Sequence, residues 1–117
     1  MQVSANDVAP TQTLATVVGL LHDAAERQWR QAEQEGPRSP RHSAGLAACL
    51  AGCQAANLLP SDVEVRDAAA DERSALELLR SAEELTRTLP VTHDFLGLSH
   101  LVVAIGEVLR EAQALDS

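Results

Sequence analysis

Hydrophobic positions recur along the chain at helical spacing. In the first segment Leu14, Val18, Leu21, Ala25 and Ala32 follow one another at intervals of four, three, four and seven. That is the pattern of one buried helix face, and it predicts a helix from about residue 10 to 35, behind a tail at 1–9. Gly36-Pro37 stops it. Ser39-Pro40 then offers an N-cap followed by proline at the first helical position, which predicts a second helix over 39–59. Ser61-Asp62-Val63-Glu64 has the form of a capping box and predicts a third helix over 61–89, irregular near 68–71 and ended by Pro90. A fourth helix is expected over 93–115, capped by Thr92 or Asp94 and carrying Phe95, Leu98, Leu101, Val102, Ile105, Val108 and Leu109. Short connections make consecutive helices antiparallel neighbours. The expectation is an all-α, antiparallel up-down-up-down four-helix bundle, filling residues 10–117 as one domain.

Charge changes this picture by separating one helix from the other three. The 117 residues carry 17 acids against 9 bases, a net charge of −8, and every base is Arg. So acidic a chain, with one Trp, one Phe and no Tyr, has neither the positive field nor the stacking platforms of a nucleic-acid binder. Arg66, Arg73, Arg80 and Arg87 recur every seven residues in the third helix. Ala68, Ala75, Ala82 and Leu89 with Leu78 and Leu85 take the core positions of that frame, so the arginines are expected to face solvent among acids one turn away, such as Glu83 beside Arg87. The second helix differs: after Arg41 no charge occurs until Asp62.

Two stripes run along that uncharged helix. Leu46, Cys49, Leu50 and Cys53 form one, and the small residues Ala44, Ala48, Gly52 and Ala56 form the other. The start of the fourth helix is apolar in the same way. Helices without a polar face imply burial beyond one monomer's core. The expected cover is a second copy of the chain, since two-fold dimers are the commonest soluble oligomers, or else another protein. Ala44, Ala48, Gly52 and Ala56, or Phe95, Leu96 and Val103 of the fourth helix, would carry the contact.

Candidate chemistry is sparse. Cys49 and Cys53 share a helix face at a spacing badly aimed for a disulfide, but able to offer two thiolates to a soft metal such as Zn²⁺ or Cu⁺. Counting along antiparallel helices puts His22 near the level of Cys53 and His100 near that of Cys49. A Cys49/Cys53/His22/His100 metal or small-ligand site is therefore the alternative to plain core packing of the cysteines. Paired Glu-x-x-His, His-Glu-x-x-His and Gly-rich phosphate loops do not occur. His42-Ser43-Ala44-Gly45 invites comparison with histidine phosphotransfer domains, which are acidic four-helix bundles built around His-Ser-Leu-Lys-Gly. It is one residue short, has no Lys, and falls in the first turn of its helix, so the comparison is set aside. The N-terminus has neither the basic nor the apolar run of an export signal, and the uncharged stretch is too diluted by polar residues for a membrane span. The reading is a cytoplasmic, non-enzymatic bundle acting through protein–protein contact, as a homodimer.

Overall fold

A computed structural model describes residues 5–59, 73–89 and 97–116, with side-chain surroundings within 11–59, 73–89 and 97–115. It is all-α, and the described residues form helices α1 (Ala5–Glu35), α2 (Arg41–Ala56), α3 (Ala75–Arg87) and α4 (Leu98–Asp116). The expected all-α class is the one found, with four helices and no strand among the described residues.

Several boundaries move, each for a local reason. α1 begins at Ala5, inside the stretch expected as a tail. It ends at Gly36, whose N–H reaches the Ala32 carbonyl at 2.9 Å and whose φ of 107° suits a residue without Cβ. α2 starts one residue later than expected, with Pro40 at its cap position and no side chain capping it, while Ser39 bridges the turn between α1 and α2. Its hydroxyl accepts the Arg41 N–H at 3.2 Å and donates to the Glu35 carboxylate at 2.6 Å. The helix expected over 61–89 is corrected at Ser74, which is extended (φ −71°, ψ 163°) and cannot lie inside a helix. The Ser74 hydroxyl accepts the Glu77 N–H at 3.2 Å while the Glu77 carboxylate accepts the Ser74 N–H, so a capping box starts α3 there. The Ser61–Glu64 box lies outside the described residues. Likewise Gly97, at φ 96°, immediately precedes α4 and interrupts any helix running on from 93. Thr92 and Asp94 lie outside the described residues.

Leucines and valines of three helices make the core. Leu14, Val17, Val18 and Leu21 of α1, Leu78 and Leu79 of α3, and Leu101 and Ile105 of α4 are fully buried, each side chain contributing roughly 1.5–3 kcal/mol. α2 adds only small side chains, Ala48, Ala51 and Ala55, to the same cluster. The order of neighbours departs from a simple ring. α1 packs on α2 and α3, and α4 packs on the same two helices, whereas α2 and α3 make no close approach. α2 and α4, which a simple up-down ring would put on a diagonal, are therefore side by side. Among the described residues no helix is long and apolar enough to cross a membrane.

Candidate functional site

α2 is built inside out. Its larger apolar side chains, Leu46 and Leu50, are 53 % and 59 % exposed, while Ala44, Gly45, Ala48, Ala51, Gly52 and Ala55 are buried. Elsewhere in the molecule leucines fill the interior, so something specific must occupy the space that small residues leave. It is supplied by α1. A Cβ added to Gly45 would overlap the Trp29 indole, and one added to Gly52 would overlap the His22 ring. Trp29 and His22 are seven residues apart on α1, and the two glycines are seven apart on α2. Each ring thus seats in a glycine notch two turns from the next, and the ascending order on one helix meets the descending order on the other. α1 and α2 run antiparallel.

Polar bonds lock this pair at its turn. Arg41 is buried, its Nη1 donating to Gln28 Oε1 at 2.9 Å and its Nε to Glu35 Oε2 at 3.1 Å. Gln28, on the inner side of α1, is fully buried, so the guanidinium satisfies an amide oxygen that would otherwise be costly to desolvate. Trp29 Nε1 donates to the His42 carbonyl at 3.3 Å, and His42 Nε2 lies 3.1 Å from the Gly36 carbonyl oxygen, to which it donates.

Placed on this framework, the residues expected to carry an interface divide. Ala44, Ala48 and Gly52 are occupied by packing within the chain, and Ala56 is half-buried at the end of α2. Val103 is 59 % exposed on α4, and Val102 beside it is also exposed. Phe95 and Leu96 lie outside the described residues. The surface left open keeps Leu46, Leu50 and Cys53 of the other stripe, without the half-buried Cys49, and extends to Ser43 and to Asn57 just past the helix end, all five exposed. Sequence reasoning found its leucines and Cys53 but gave the contact to the small residues. The signal that separates the two faces is the matched spacing of seven between the rings of α1 and the glycines of α2.

The expected metal ligands are not brought together. Among the described residues no three or more of His, Cys, Asp and Glu are placed to hold a metal ion, and these residues include His22, Cys49, Cys53 and His100. His22 is half-buried against Gly52, and His100 is exposed on α4. Cys49 is half-buried and Cys53 exposed, both as free thiols. Burial, and then the neighbouring Cys53 with its hydrogen bond, push the Cys49 thiol above its ordinary range, which keeps it protonated and opposes metal ligation and nucleophilic chemistry. An open groove of about 480 Å³ lies elsewhere, between α1 and α3, where Thr16, Leu20, Leu85 and Thr88 are joined by Arg73, bonded to Ser81 at 3.3 Å. No family model matches the chain, and no curated protein or solved structure matches it either.

Proposed function

We propose that this chain works through protein–protein contact, as a homodimer in the cytoplasm, using the outer face of α2 together with the exposed valines of α4. One observation carries the reading. A helix without a formal charge between His42 and its end at Ala56 holds two leucines more than half exposed to water. A solvated helix normally presents charges outward, as α3 does with Arg80, Glu84 and Arg87. An apolar outer stripe is the mark of a surface that is covered in the working state. The acidic remainder keeps the assembly soluble and discourages further association.

Sedimentation across a concentration series tests this. The expected species has twice the 12.4 kDa mass of the chain, and Leu46→Glu/Leu50→Glu returns it to the monomer with its far-ultraviolet circular dichroism unchanged. A wild-type chain that stays monomeric at several hundred micromolar overturns the homodimer.

A further inference from the structure

We infer that the α2 stripe pairs with the α2 stripe of a second copy, along a seam of Ser43, Leu46, Leu50, Cys53 and Asn57. The inference rests on the homodimer reading and names the surface that meets itself.

The spacing carries the first part of the argument. The five residues follow one another at intervals of three, four, three and four, the repeat that keeps one edge of a helix turned toward a partner helix. All five are exposed, while Ala44, Gly45, Ala48, Ala51, Gly52 and Ala55 on the opposite side are buried.

Charge identifies the occupant. Positions beside such a seam select a partner through their charges, and here they are His42, Ala47, Cys49, Gln54 and Ala56. None of them is Asp, Glu, Lys or Arg, so the edge presents no acid to a basic helix and no fixed positive charge to an acidic one. Between two copies of net charge −8, most surfaces bring acids against acids. Residues 37–60 contain no acid at all, whereas the remaining segments hold all 17. The seam is thus where two copies of this chain approach with least repulsion. Small flanking side chains let the two helices come close, and the seam, about 21 Å long, is held straight by the bundle beneath it. That pre-organisation spares the ordering cost that makes isolated short helices weak partners.

A charge exchange at Leu50, the middle residue of the seam, tests the pairing under reducing conditions. Leu50→Glu and Leu50→Lys are made separately, and circular dichroism is used to confirm that each folds. Each variant alone is expected to self-associate about a hundredfold more weakly, because like charges are forced together. Mixed one to one, they are expected to form a heterodimer, since the introduced carboxylate and ammonium lie within reach whichever way the partner helix runs. A mixture that stays monomeric shows that α2 does not face α2, and it overturns the inference while leaving a homodimer through another face. Single variants that dimerise like wild type overturn it as well. A wild-type monomer removes both this inference and the reading beneath it.

Discussion

α2 and α3 are of similar length and belong to the same bundle, but they solve the problem of facing water in opposite ways. α3 turns Leu78, Leu79 and Ala82 inward and Glu77, Arg80, Glu84 and Arg87 outward, with Arg87 bonded to Glu83 at 3.1 Å. α2 turns Ala and Gly inward and Leu46 and Leu50 outward. For α3, hydrophobicity decides orientation. For α2 both faces are apolar, so hydrophobicity cannot decide, and shape does: only the glycine-bearing face can receive Trp29 and His22. The comparison teaches that an uncharged helix with a small-residue face need not offer that face to a partner.

The largest effect that would break this comparison comes from truncating one leucine on each helix. Leu78→Ala should destabilise the fold by about 2–5 kcal/mol, because a fully buried side chain leaves a cavity. Leu50→Ala should change monomer stability by no more than about 0.5 kcal/mol, whatever it does to association. Chemical denaturation of both at low protein concentration makes the measurement. Equal losses would show that Leu50 is an ordinary core residue.

Next comes Gly52→Leu. If the small-residue stripe met a partner, this change would disrupt assembly and spare the fold. With Gly52 under the His22 ring, the expected result is instead a loss of about 1–3 kcal/mol in fold stability from overpacking. Thermal unfolding at two protein concentrations separates the outcomes, because a loss confined to assembly would vanish on dilution. Gly45→Leu, beneath Trp29, should behave alike, and its emission spectrum should shift as the indole is displaced.

How much of this was legible follows from the same distinction. The heptad of arginines and leucines made the exposed face of α3 readable, and Arg80 and Arg87 are where that frame puts them. Its start was misread although the signal was present: Ser74-Ala75-Leu76-Glu77 is also a capping-box pattern, and Ser61–Glu64 competed with it on equal chemical terms. The two stripes of α2 were both visible. Which one faced inward was not, because periodicity records hydrophobicity and not the volume match between rings and glycines. The neighbour order was hidden for another reason: nothing local in α2 or α4 states that they pack side by side.

Ser74→Ala sharpens the α3 half of the comparison with a smaller effect. Removing the cap hydroxyl should cost about 1 kcal/mol, read as a lowered denaturation midpoint, while Ser74→Asp should keep most of the stability. If Ser74→Ala is neutral, α3 does not begin at this box.

The smallest effect is chemical and tests the sidedness of α2 directly. Cys49 and Cys53 stand one turn apart, yet one is half-buried and the other exposed. Alkylation followed by peptide mass spectrometry should therefore label Cys53 first. Cys49 carries a thiol pushed up by burial and by Cys53, so less of it is thiolate at any given pH than for free cysteine. Its labelling rate should accordingly keep rising at pH values where a free-cysteine reference has levelled off. The covering of the seam adds a second handle. Cys53 lies on it, so raising the protein concentration into the dimer range should slow Cys53 labelling while changing Cys49 less. Equal labelling of both cysteines at every pH would mean that α2 presents no inner and outer side, and the contrast with α3 would lose its basis.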